Sequence, residues 1–183
     1  ICPEEPLIAD FTNDGIPDLL GWWSPNGVLW FRPGLPGFTW GADVITYLSP
    51  NSCCYTRPSL YRRAMDLNGD GNRDAIIAGA QGIRPLLGLG NGQFVESAIV
   101  PFSTGWDPES IDVGDLDLDG APDLVYPGPV LTGGTVPSSI TIATAMQGVF
   151  VNQLSIALPV PVSVVRIGDF NGDSLPDILC LGF

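Results

Sequence analysis

Four copies of one acidic nonapeptide recur along this chain of 183 residues. They read Asp10-Phe-Thr-Asn-Asp-Gly-Ile-Pro-Asp18, Asp66-Leu-Asn-Gly-Asp-Gly-Asn-Arg-Asp74, Asp115-Leu-Asp-Leu-Asp-Gly-Ala-Pro-Asp123 and Asp169-Phe-Asn-Gly-Asp-Ser-Leu-Pro-Asp177. Each carries oxygen-bearing side chains at positions 1, 3, 5 and 9, and three of the four have Gly at position 6. Hard oxygen donors at alternating positions around a tight turn are what a calcium ion takes. The copies start 56, 49 and 54 residues apart, so each loop marks one structural repeat. Residues 1–183 are therefore expected to form a single repeat domain, with calcium loops at 10–18, 66–74, 115–123 and 169–177.

The loops sit between short apolar runs. Upstream lie 6–9, 61–65, 110–114 and 164–168; downstream lie 19–20, 75–78, 124–126 and 178–181. Strand, acidic loop, strand is a hairpin whose turn is given over to an ion. Further strands are expected at 27–31 and 147–151, and Asn26-Gly27 and Asn91-Gly92 are hairpin turn signals. The 23 glycines and 18 prolines fall between these runs as turns, and helical periodicity is nearly absent. About four short strands per ~50 residues is the content of one propeller blade. The expected fold is all-β: a propeller-type array of antiparallel blades with a calcium loop in each repeat, either open or completed by a neighbouring chain.

The loops, their spacing and the apolar strand after each resemble FG-GAP or VCBS repeats, the calcium-bearing blades of integrin-α-type propellers. The resemblance runs through all four loops. It implies that side chains at positions 1, 3 and 5, the backbone carbonyl at 7 and the carboxylate at 9 converge on the ion. The implied ligands are Asp10, Thr12, Asp14, Ile16 and Asp18; Asp66, Asn68, Asp70, Asn72 and Asp74; Asp115, Asp117, Asp119, Ala121 and Asp123; and Asp169, Asn171, Asp173, Leu175 and Asp177. An EF-hand begins the same way but needs Glu at position 12, where this chain has Gly21, Ile77, Tyr126 and Cys180. Ligand charge ranks the third loop, with four aspartates, as the tightest site. Thr12 weakens the first loop, and Ser174 puts strain where the fourth loop wants Gly.

Seven Arg, no Lys and 20 acidic residues give a net charge of −13, and the four loops hold thirteen of the aspartates. Four bound calcium ions would leave about −5. Nucleic acid is not an expected partner, because phosphate binding needs clustered positive charge. No apolar run is long enough to span a membrane. With no His and no Lys, Ser-His triads and Schiff bases are excluded, and a binding role is expected rather than an enzymatic one. Loops of this kind usually belong where calcium is millimolar, so a secreted or cell-surface location is expected. Cys2, Cys53, Cys54 and Cys180 fit two disulfides in any of three connectivities, and a Cys2–Cys180 bridge would close the chain or link neighbours.

Four blades are near the lower limit for a closed propeller, and residues 1–9 and 178–183 cannot make a fourth blade. Strands left at the two ends invite pairing with another chain, and a head-to-tail contact that does not close gives a filament. The expected role is structural or adhesive, with a second copy or another extracellular protein as partner; the alternatives are a calcium-stabilised glycan-binding module or an accessory fragment of a larger secreted protein. Trp22-Trp23 is the best sugar-stacking candidate, since adjacent strand residues face opposite sides and one of the two is expected to be exposed. Residues 124–165 contain no charged side chain and hold β-type runs rich in Ser and Thr, expected as buried blade strands with hydroxyls facing out.

Overall fold

The computed structural model describes residues 6–23, 27–48, 59–61, 63–79, 82–101, 110–128 and 138–182. The chain divides into two compact units, Ile1–Pro108 and Glu109–Phe183. Both are built of antiparallel strands.

In the first unit, one sheet runs in the order β1 (Leu7–Ala9), β2 (Asp18–Trp23), β3 (Val28–Arg32) and β6 (Val44–Tyr47). A small hairpin, β4 (Gly34–Leu35) and β5 (Thr39–Trp40), projects between β3 and β6. The second sheet runs β10 (Phe94–Glu96), β9 (Gly82–Gly88), β8 (Ala75–Gly79) and β7 (Ser59–Leu60), with β11 (Val100–Pro101) also on β9. The two sheets share one core, in which Leu20, Trp22, Leu29 and Phe31 meet Ala75, Ile77, Leu86 and Phe94. Position 2 of the first loop plugs it: Phe11 lies edge-on to Phe94 at 5.5 Å and to Phe31 at 6.4 Å. Burying a side chain of that size contributes about 3 kcal/mol.

The strand expected over 61–65 is broken. Leu60 pairs with Ile77, whereas Met65 bridges to Asp74, so the two pairings differ in register by two residues. The extra residues leave the ladder, as in a bulge, and end β7 at Leu60.

In the second unit, β12 (Asp112–Gly114), β13 (Asp123–Pro127), β14 (Ser139–Met146) and β15 (Val149–Ala157) form a four-stranded sheet in sequence order. β16 (Val164–Gly168) pairs with β17 (Asp177–Leu181) in a sheet of two strands. Val125, Ile140, Val162 and Val165 form the core, and the Ile167 N–H donates to the buried Asp112 carboxylate at 2.8 Å. β14 is largely buried, as expected of the uncharged stretch, but its hydroxyls do not all face out. Ser139 and Thr141 are themselves buried, and Thr141 shares a hydrogen bond with Ser155 at 3.1 Å. A hydroxyl with a partner across the ladder can be buried at little cost.

Each acidic loop joins the first two strands of a sheet: β1 to β2, β12 to β13 and β16 to β17, with the Met65–Asp74 bridge closing the second loop before β8. Cys180 is a free, partly buried thiol whose pKa is pushed up by burial. Cys2, Cys53 and Cys54, and with them any expected pairing, lie outside the described residues.

Candidate metal centre

The four loops fold by one scheme of side-chain-to-backbone hydrogen bonds. The position 1 carboxylate reaches across the turn and accepts the N–H of position 6: Gly15 to Asp10 at 2.9 Å, Gly71 to Asp66 at 2.8 Å, Gly120 to Asp115 at 3.0 Å and Ser174 to Asp169 at 2.9 Å. The position 5 carboxylate accepts the N–H of position 7, at 2.8 Å in each loop, onto Asp14, Asp70, Asp119 and Asp173. Asp and Asn at these places close Asx-turns, which is why the sequence folds back here without help from distant residues. Backbone N–H donors hold the carboxylates of Asp70 and Asp169 below their ordinary pKa.

The scheme needs left-handed backbone at position 6, as the sequence predicts, and also at position 4, which the sequence reading missed. Position 4 is Asn13 (φ 59°), Gly69 (φ 76°), Leu118 (φ 61°) and Gly172 (φ 82°). Asn and Gly at three of these four positions were the available signal. Leu118 and Ser174 (φ 69°) are the strained exceptions. Leu118→Gly and Ser174→Gly are each expected to stabilise by about 0.5–1 kcal/mol, read as a higher urea midpoint at unchanged m.

Position 9 has a second task. Its carboxylate accepts the N–H of position 2: Phe11 to Asp18 at 2.8 Å, Leu67 to Asp74 at 2.7 Å, Leu116 to Asp123 at 2.9 Å and Phe170 to Asp177 at 3.0 Å. In three loops it also takes an N–H from the end of the third strand of its sheet or, in the first loop, from just past that end. Gly34 donates to Asp18 at 2.8 Å, Gly88 to Asp74 at 2.7 Å, and Ala145 to Asp123. Asp18, Asp74 and Asp123 are accordingly buried, at 0%, 0% and 2% exposure. Asp177 is only half-buried, and β17 has no third strand beside it among the described residues.

Burial pushes the Asp74 carboxyl up to about 6, against the pull of the Gly88 and Leu67 N–H donors, and the charges of Asp70 and Asp66 add to the rise. Asp123 is raised for the same first reason. An unfolded Asp titrates near 3.9, so between about pH 4 and 6 the folded metal-free protein binds the extra proton. Stability from this group is therefore full below about pH 4 and lost as pH rises through about 6. The urea midpoint of the metal-free protein is expected to fall across that window, and Asp74→Asn is expected to flatten the fall.

The third loop brings carboxylates together. One oxygen from each of Asp115, Asp117 and Asp123 lies within 4.8 Å of the others. Asp119 stands outside this group, its Oδ1 engaged by the Ala121 N–H. Asp115 Oδ1 is buried and has no hydrogen-bond partner. A buried carboxylate oxygen with no donor, beside two further carboxylates, fits a hard divalent cation. Bound calcium would supply the missing positive charge, held by Asp115, Asp117 and Asp123 with the loop carbonyl of Ala121. In the other loops Thr12, Asn68 and Asn171 stand at position 3, and Asn68 and Asn171 donate to their neighbours Asp70 and Asp173 at 3.0 and 3.1 Å. The first two loops also touch, through the Asn13 amide on Asn72 Oδ1 at 2.7 Å.

Of the Trp22-Trp23 candidates for sugar stacking, Trp22 is turned away from solvent, and the Trp23 side chain lies outside the described residues. Trp22 is 2% exposed, because it shares the core face of β2 with Leu20 and pairs with Leu29. On the opposite face of that sheet, Arg32 lies 5.1 Å from the Trp30 ring, and its guanidinium pairs with Asp43, at 2.9 Å from Nη2. Tyr47 is 78% exposed there.

Sheets and loops together define an all-β, propeller-type repeat array. Within it the chain carries an FG-GAP-like repeat, matched over residues 66–126, from the first ligand position of the second loop to β13. The chain is 30% identical over 138 residues to the T-cell immunomodulatory protein homolog of Plasmodium falciparum (isolate 3D7), a match covering 67% of this chain and 19% of that protein. In fold it is similar to an Agrocybe aegerita lectin described as recognising non-reducing terminal N-acetylglucosamine, with a TM-score of 0.66 and 18% identity over 95% of this chain and 45% of the lectin chain. The Tc holotoxin pore of Photorhabdus luminescens is also similar, with a TM-score of 0.58 and 16% identity over 96% of this chain and 8% of that one. The chain thus spans less than half the length of each.

Proposed function

We propose that this is an extracellular, non-enzymatic, calcium-stabilised repeat module with a structural or adhesive role. The observation that carries the reading is the convergence of Asp115, Asp117 and Asp123 around the partnerless Asp115 Oδ1. Calcium ties the ends of a hairpin together, and its binding energy becomes folding energy of the sheet. Self-association is part of the proposal. β17 has an unpaired edge among the described residues, in a sheet of two strands where the sheets that carry the other acidic loops hold four or five. Such an edge takes an added strand, from a second copy or from further polypeptide. The test is light scattering of the purified chain in calcium and in excess chelator. Calcium-dependent growth in mass, abolished by Leu179→Pro on β17, supports assembly; a monomer in both conditions sinks it.

A glycan-binding role is the second reading. It is favoured by the likeness to the lectin and by the outward face that groups Trp30 and Tyr47 with the Arg32–Asp43 pair. Aromatic rings beside paired polar groups suit a sugar ring. Glycan-array binding lost in Tyr47→Ala supports it, and an empty array removes it.

A further inference from the structure

The hairpin β4–β5 is a projecting apolar finger. Phe38 at its tip is 102% exposed, and Leu35 and Trp40 are 42% and 45% exposed. The register pairs Gly34 with Trp40 and Leu35 with Thr39, so Leu35 and Trp40 face opposite sides. From Pro33 to Ala42 there is no charged residue; the flanking charges, Arg32 and Asp43, neutralise each other at the base.

The finger is rigidly mounted. The Gly34 N–H is held by the buried Asp18, and a Cβ at Gly34 would lie 2.2 Å from the Pro17 carbonyl oxygen, so its root sits flush on the first acidic loop. Across the root, Gly41 N–H donates to the Pro33 carbonyl at 2.8 Å, and Thr39 Oγ1 donates to the Pro36 carbonyl at 3.0 Å. The second sheet has the same anchor at Gly88, yet follows it with only a tight turn closed by Leu89 N–H on Gln93. The finger is thus an addition to the common plan. Its tip also holds Phe38 in left-handed backbone, φ 56°. An exposed phenylalanine in strained backbone is kept against both solvation and conformation, which points to use.

We infer that this finger inserts into the interface of a lipid bilayer. Apolar side chains on the tip and on both faces suit immersion in an apolar medium, whereas a flat partner would engage one face. The exposed apolar area is on the order of 400 Å², about half of the ~800 Å² that each partner gives to a stable protein interface. Trp, Phe and Leu are the residues that settle at the headgroup boundary. A net charge of −13 on the whole chain disfavours anionic surfaces, so the lipid partner is zwitterionic. The inference is independent of calcium binding.

The test is flotation with phosphatidylcholine vesicles, with and without added phosphatidylserine. The wild-type chain should float with phosphatidylcholine and less well when phosphatidylserine is present in chelator. Phe38→Ser and Trp40→Ser should each lower partitioning at least tenfold, while Leu154→Ser, at an exposed apolar residue on β15 outside the finger, should not. Phe38 is fully exposed, so its variant keeps the fold, as an unchanged melting temperature would verify. No flotation of the wild type, or an equal loss in Leu154→Ser, overturns the inference.

Discussion

Asp18→Ala is expected to destabilise the first unit by about 3–5 kcal/mol, with or without metal. The Asp18 carboxylate is fully buried and accepts three backbone N–H groups, from Phe11 at 2.8 Å, Thr12 at 3.0 Å and Gly34 at 2.8 Å, as well as the Thr12 hydroxyl at 3.2 Å. Each buried donor left without a partner costs about 1–3 kcal/mol. The total rivals the ~5–15 kcal/mol stability of a whole domain. The effect should appear as a lower urea midpoint, and in chelator as well as in calcium. That last condition separates the role of position 9 as a backbone clamp from its role as a ligand. A loss confined to calcium-containing buffer would show that the ligand role dominates.

Calcium itself is expected to produce the largest reversible change. A ligand present at a hundred times its dissociation constant stabilises by about 2.7 kcal/mol per site. For a chain of this size each kcal/mol moves the melting temperature by about 2–4 °C, so two saturated sites would raise it by more than about 10 °C. Excess chelator should reverse the shift. Magnesium should reproduce little of it, because it demands tighter octahedral geometry and keeps its waters. Asp115→Asn should remove the share of the third loop. A melting temperature indifferent to calcium and chelator would leave the acidic loops as plain Asx-turns.

Much of the architecture was legible in the residues. Apolar runs on either side of each nonapeptide became β1 and β2, β12 and β13, β16 and β17, because a strand needs only alternation and a turn to end it. Position 6 was legible for the same reason, since only local backbone geometry is involved. The break at β7 was not, because it arises from the register of Leu60 and Met65 against a strand residues away. Which of Trp22 and Trp23 faces the core was not legible, because two adjacent tryptophans on a strand look alike until the core face is known. Buried Thr141 was misread for a similar cause, its partner Ser155 lying across the ladder.

By itself the sequence determined the chemistry that local chain geometry controls: oxygen donors at fixed offsets, turns at Gly and Asn, strands between them, and an acidity concentrated in four loops. Tertiary structure alone decided what those groups meet. It turned Asp18, Asp74 and Asp123 into buried clamps on or just past a third strand, and raised the β4–β5 finger on the root that Asp18 holds. The physical reason is range. A hydrogen bond within nine residues is written in their order, whereas one to Gly34, Gly88 or Ala145 exists only once separate strands have packed.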